Sequence, residues 1–401
     1  MTKTLRSSIK GALNSSIKPG LLAPAQFRGS TLDLDFAGAK SLKNQIGRQD
    51  VVSFTRASSA TYVDGDGIIQ SATTNTPRFD YDPATGESLG LLIEEARTNL
   101  VTYSEEFDQW TVGINATVTP NAAIAPDGTL TAERVVFPAT SGTFVSNGTV
   151  TAGTTFTASV YAKAVTPGTN DTFTFNLGGG PHNASSQFTT TDQWQRFTFT
   201  LTPSDLSGNP SLIINNEGDG FASDVYLWGA QLEEASFSTS YIPTSGSTVT
   251  RAADVAEITG TNFSSFYNQT EGTFFGDVTG PAGFGFVAHA GSNDNRHGFG
   301  TASGRPFTTI AGISTNFGVS PTLVAGGGKV AYGYKANDYG AFGDGVNLPA
   351  TSPTSVPTGV NEFAIGYRGS FSPNAFLNGH VKRLAYFPVR LPDATLQNIT
   401  S

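Results

Sequence analysis

The chain of 401 residues carries 23 Lys and Arg against 32 Asp and Glu, 46 glycines, 29 phenylalanines, one methionine and no cysteine. That length suits two or three domains rather than one core, and the missing thiols exclude disulfides and thiolate metal sites. No apolar stretch approaches the roughly 18 residues that a membrane-spanning helix needs.

Charge is unevenly spread. Residues 1–32 hold Lys3, Arg6, Lys10, Lys18 and Arg28 and no acid, whereas 101–250 hold thirteen acids against Arg134, Lys163 and Arg196; from 255 onward eight acids balance eight bases. A middle region of that sign repels polyanions, so no nucleic-acid partner is expected along the body. At the start, Leu5, Ile9, Leu13 and Ile17 fall four apart, a stripe that fits a short basic helix stopping at Pro19-Gly20, with Gly11 counting against it. On that reading Lys3, Arg6, Lys10 and Lys18 belong to an anchoring arm; the alternative is an ordinary unstructured tail. Nothing near the N-terminus has the apolar core of a signal peptide, so assembly in a bacterial cytoplasm is expected.

Low charge, abundant Gly, Thr, Ser and Phe, and no long run of helical period predict an all-β chain. TLDLDF (31–36) alternates as a strand and residues 51–54 read as another. Asp64-Gly65-Asp66-Gly67 invites a calcium loop, but the twelfth position from Asp64 is Asn75, where such a loop needs glutamate. A hairpin turn between TYV and IIQ accounts for the same letters, and no metal ligand is assigned. Residues 82–86, DPATG, form a second turn. In LGLLIEEARTNL (89–100) the two-residue period predicts a strand with one apolar and one partly covered face. The adjacent Glu94 and Glu95 project to opposite faces and cannot flank one bond; an ion pair from one of them to Arg97 is expected.

Between 101 and 250, LTAERVVF, TTFTASVYAKA, DTFTFNL, QWQRFTFTLTP, LIINN and DVYLWGAQLEE recur at near-regular intervals, which predicts an antiparallel two-sheet sandwich. Trp110, Trp194 and Trp228 suggest sugar-stacking platforms, yet Trp194 and Trp228 lie inside apolar alternation and are assigned to the core. His182 and Asn183, in the loop GGGPHNASS, are the exposed ligand-binding candidates. Residues 237–254 have the composition of a connector. VTRAAD within it echoes FTRASS (54–59), which would let 31–100 pair with the region near 250. From 255 to 401 the strand signature repeats, and His289, Asp294, Arg296 and His297 in AHAGSNDNRHG form a second candidate ligand-binding group in an exposed loop. In HVKRLAYF, apolar Val381, Leu384 and Tyr386 against Lys382 and Arg383 predict a half-buried strand. Ala394 to Ile399 after Pro392-Asp393 predict a short capped helix. There is no P-loop, no Gly-x-Ser-x-Gly elbow and only four histidines, so neither catalysis nor a cofactor is expected.

The order FTRASSATY, VDGDGIIQSA, PRFDYDPATG, LGLLIEEARTNL and FSTSYIPTSGSTVTRAAD resembles the scaffold of tailed-phage head-spike and tail-fibre proteins. The Trp-Gln-Arg strand followed by YLWGAQLEE resembles jelly-roll carbohydrate-binding modules, and the ending FLNGHVKRLAYFPVRLPDATLQNIT resembles concanavalin- or laminin-G-like domains of such fibres. The resemblance implies a structural virion protein: an anchoring arm (1–30) that meets other virion proteins of head or tail, a β-rich scaffold segment (31–100), and tandem β-sandwiches, a jelly roll (101–250) and a concanavalin-like domain (255–401). It further implies a homotrimer on the virion, with a host-surface glycan as ligand. The rivals are a polysaccharide-degrading tailspike, whose usual long β-helix repeat is missing here, and a prophage-encoded adhesin, which the absent signal disfavours.

Overall fold

Alternating Phe, Val and Thr with small residues form antiparallel strands nearly throughout, and the computed structural model of the protein is all-β as its composition predicts. It describes residues 25–401 apart from 114, 140–143, 170, 179–184, 205, 207–209, 217–221, 282, 302, 320–325 and 371–374. The basic arm with Lys3, Arg6, Lys10 and Lys18, and the loop residues His182 and Asn183, lie outside the described residues. The chain divides into two compact units, one of residues 54–255 and one that combines 1–53 with 256–401. The segment read as a scaffold, 31–100, is thereby shared between them.

In the unit of 54–255 two sheets face each other. One runs Gln195–Leu201, Phe156–Ala164, Ser223–Glu233, Ala132–Phe137, Thr117–Ala123; the other runs Ser185–Thr189, Thr172–Leu177, Leu212–Asn215, Phe144–Asn147, Thr111–Val112. The alternating Val135, Phe137, Val160, Phe173, Phe175, Ile214 and Leu227 are fully buried between them, the arrangement that a sandwich needs to remove one face of each sheet from water. Ser159 pairs with Gln231, but two residues further on Tyr161 pairs with Trp228, so the long strand carries one extra residue there. Gly229 takes a φ of +63° at this bulge, and a Cβ would come within 3.2 Å of the Tyr161 ring. The bulge re-aims Trp228, whose ring meets Tyr161 edge-on at 5.6 Å and Tyr241 at 4.6 Å.

The same unit buries a group of charges. The Asp254 carboxylate accepts Arg56 Nη1 at 3.0 Å, Arg78 Nη2 at 2.5 Å and the Glu94 backbone N–H at 3.0 Å. Glu94 pairs with Arg78 at 2.8 Å and Arg251 at 3.5 Å, and accepts the Ser240 amide and hydroxyl at 2.7 and 2.6 Å. All five charged residues are at most 4% exposed. Of the five motifs quoted from the sequence, four each place a side chain in this group, and the fifth, VDGDGIIQSA, supplies the turn and second strand of the hairpin Ala60–Val63 and Ile69–Ala72. The expected pair to Arg97 is made by Glu95. The FTRASS and VTRAAD echo is structural in that Arg56 and Arg251 enter one charge group, and Val249–Arg251 pairs with Arg97–Asn99. Strand Ser88–Ile93 departs from the predicted half-covered pattern, since it is buried on both faces from Gly90 onward.

In the other unit the strands Val346–Asn347, Gly340–Gly343, Gly327–Lys335, Glu271–Thr279 and Gly379–Phe387 lie side by side, and Leu32–Asp35 also pairs with the last of these. A second sheet runs Val255–Thr259, Glu362–Ile365, Phe284–His289, Arg296–Gly300, Arg305–Ile310, Ile313–Asn316. Gly379–Phe387 alternates as predicted in its first part, with Val381 buried against the half-buried Lys382 and Arg383, but from Leu384 to Phe387 it is covered on both faces, all four residues being at most 2% exposed. One face packs on Phe275, Leu396 and Ile399, while Tyr386 on the other meets Phe274 at 4.9 Å. The helix expected near 394–399 spans Asp393–Thr400, but no side chain caps it; Asp393 instead accepts Arg390 Nη2 at 2.6 Å. Asp33, fully buried, receives Arg383 at 2.9 and 2.6 Å in a two-point pair.

Candidate functional site

A cleft of about 1040 Å³ opens on the unit of 54–255. Each wall is fixed by local chemistry. The hairpin turn at 64–67 is closed by Asp64, whose carboxylate accepts the amides of Asp66 and Ile68 at 3.0 Å and Gln70 Nε2 at 2.8 Å. This engagement fits the turn reading of the Asp-Gly repeat; among the described residues no cluster of His, Cys, Asp or Glu could hold a metal ion. The neighbouring turn is closed by Asp82, which accepts the amides of Ala84 and Thr85 at 2.8 and 2.9 Å. Those two bonds hold its carboxyl below the usual range. Ile69 N–H donates to Pro126 O at 3.0 Å and so joins the hairpin to the loop that carries Ile124.

The facing wall comes from Tyr161, Lys163 and the start of the strand Gln195–Leu201. Trp194 stands just ahead of that strand, only partly buried, with Nε1 donating to Ile124 O at 3.0 Å. Its assignment to the core holds only in part: the indole packs against the cluster of Ile69, Trp228 and Tyr241 but is not enclosed by it, and its remaining surface faces the cleft. The ladder begins one residue later, and the indole lies on the cleft wall beside Ile124, which is 55% exposed. Trp228 and Trp110 do belong to the core, at 1% and 5% exposure. Lys163 Nζ lies 5.0 Å from the Trp194 ring centre and 5.5 Å from that of Tyr226. Arg196 donates to Thr239 O at 2.7 Å and to Ser159 Oγ at 2.9 Å. Asp80, on the opposite side, accepts the Val63 amide at 2.7 Å.

The second predicted group is not a loop cluster. His289 and His297 are 1% and 0% exposed, at the end of Phe284–His289 and inside Arg296–Gly300. His297 Nδ1 lies 2.9 Å from Tyr332 Oη and its ring stacks 4.2 Å from that of Tyr334, so burial pushes its pKa down to about 3. Only Asp294 is exposed; Arg296 is half-buried and donates to Asn293 Oδ1 at 2.7 Å. The strand pleat sends Arg296 and His297 to opposite faces, which a loop reading of the segment misses. The cleft residues Lys163 and Arg196 were not singled out from sequence as site residues. Their scarcity in an acidic region was the available signal.

No protein-family model and no curated protein matches the chain. Among solved structures, it is similar to the NanB sialidase from Streptococcus pneumoniae in complex with 2-[(3-chlorobenzyl)ammonio]ethanesulfonate, at 13% identity over 35% of this chain and 26% of that one, with a TM-score of 0.28. It is similar to the Ruminococcus gnavus IT-sialidase CBM40 bound to alpha2,3 sialyllactose, at 15% identity over 33% and 84%, with a TM-score of 0.27. A third is the CBM22-1 xylan-binding domain from Paenibacillus barcinonensis Xyn10C, at 14% identity over 35% and 94%, with a TM-score of 0.25. The chain spans about a quarter of the sialidase it matches.

Proposed function

We propose that the unit of 54–255 is a non-catalytic glycan-binding sandwich, and that the chain is a displayed attachment protein of the spike or fibre kind that its motifs resemble. The observation that carries the reading is the partly buried Trp194, whose open side stands on the wall of a large cleft. A pyranose has an apolar C–H face that packs on an aromatic ring, and hydroxyls that need planar polar partners. Gln193 and Gln195, the neighbours of Trp194, supply such partners on its wall, and Asp80 supplies another across the cleft. On this reading the basic arm holds the protein to other virion components and the assembled form is a trimer. Catalysis is not part of the proposal, because Glu94 and Asp254 are each committed to arginines and Asp80 to a backbone amide.

The test is binding of the purified chain to an array of bacterial surface oligosaccharides, native against Trp194→Ala. The variant is expected to stay folded, melting within about 4 °C of the native chain, and to lose binding by about tenfold, the loss of one stacked ring. Unchanged binding by the variant overturns the site. Release of oligosaccharides that stops with Asp80→Asn replaces the proposal with the depolymerase reading.

A further inference from the structure

The unit of 54–255 holds 21 acids and seven bases. Five of those bases have carboxylate partners: Arg56, Arg78 and Arg251 in the buried charge group, Arg97 with Glu95, and Arg134 with Asp224 at 2.6 Å. The remaining two, Lys163 and Arg196, both line the cleft; Asp66 and Asp80 line it too, but neither cation pairs with a carboxylate among the described residues. In a unit with three acids to each base, cations without a counter-ion are the exception, and both occurring in one concavity is a placement that solubility does not call for. Arg196 spends its two terminal nitrogens on neutral oxygens, and its buried Nε–H has no hydrogen-bond partner. Among the described residues Lys163 is held over aromatic faces alone, and so is able to move toward an anion without breaking an ion pair.

From this we infer that the cleft takes a carboxylate-bearing sugar, its ring on the Trp194 side and its acid group against Lys163 and Arg196. The inference rests on the reading of the cleft as a glycan site and narrows it to acidic glycans. Long polyanions meet the acidic surface around the cleft, so the match is to one acidic residue at a chain end or branch rather than to an unbroken run of charge. Attraction across a solvent-exposed cleft is screened, so the preference for the acid falls as salt rises.

The experiment uses the full chain and short oligosaccharides of glucuronate, galacturonate, mannuronate and guluronate, each beside its carboxyl-reduced counterpart, with affinities read by calorimetry at low and at 0.5 M salt. At least one acid is expected to bind about tenfold tighter than its reduced twin, the typical strength of one charge-assisted hydrogen bond. Lys163→Met is expected to narrow the ratio between acid and reduced twin to within about twofold while the melting temperature stays unchanged. Equal binding of acid and reduced forms overturns the inference and leaves the glycan site standing. Binding of neither form overturns the inference, and the glycan site then stands or falls on the oligosaccharide array. A preference that survives both Lys163→Met and Arg196→Gln, in variants that melt like the native chain, shows the acid to be read elsewhere and overturns the assignment.

Discussion

Trp228 donates Nε1 to Thr131 Oγ1 at 3.0 Å and is enclosed by Tyr161 and Tyr241. Its truncation to Ala is expected to cost about 3–5 kcal/mol in denaturant unfolding, the range for a buried aromatic. Trp194→Ala, by contrast, is expected to stay within about 1 kcal/mol of the native chain; a loss as large as that of Trp228→Ala would return Trp194 to the core. His297 gives the second unit a pH signature. Its folded pKa of about 3 lies below the unfolded value of about 6.5, so the unfolded state binds the extra proton in between. Stability from this residue is intact above pH 6.5 and falls by up to about 1.4 kcal/mol per unit as the pH drops below it. His297→Phe is expected to narrow the gap in melting temperature between pH 7.5 and pH 5; an unchanged gap assigns the acid sensitivity to other groups such as His289, which burial also pushes down.

Among the elements, the strand Ser88–Ile93 and the connector that ends at Asp254 meet through charge. Burial alone would raise the Glu94 pKa, but the Arg251 and Arg78 guanidiniums and the Ser240 bonds hold it well below the carboxylate range. Its stabilising contribution is therefore present above the unfolded value of about 4.3 and is lost as the pH falls below it. Glu94→Gln leaves buried arginines short of a counter-ion and is expected to cost about 3–5 kcal/mol at pH 7. Its deficit relative to the native chain should shrink toward pH 3, and a constant deficit would point to lost packing instead. The strands themselves were legible because period-two alternation is a local signal: 156–164, 172–177 and 223–233 were read to within two residues. The charge group was not, because Arg56 and Asp254 lie 198 residues apart and nothing in either neighbourhood names the other. Full burial of Trp194 was misread for a smaller reason, as the alternation of QWQRFTFT starts before the ladder does, at Gln195. His289 and His297 were misread in the opposite sense, since a polar stretch hid the beginnings and ends of two buried strands.

For the whole molecule, the division into units means that one of them is assembled from two distant pieces of chain, with residues 54–255 between. A chain cut after residue 370 lacks Gly379–Phe387 and the helix Asp393–Thr400, which bury Phe275 and pair with Leu32–Asp35. In limited proteolysis, its residues 54–255 are expected to remain resistant while the rest is digested; uniform digestion would show the two units to fold as one. The contact between Asp33 and Arg383 spans 350 residues, so during synthesis the first strand leaves the ribosome roughly 18–70 seconds before its partner is made. Throughout that wait Leu32 and Leu34 sit on an open strand that other nascent chains are able to template. Asp33 between them is a charge in water at that stage and discourages such pairing. In the finished fold the same carboxylate is sealed under Arg383, so one residue guards the unfinished chain and then locks the completed one.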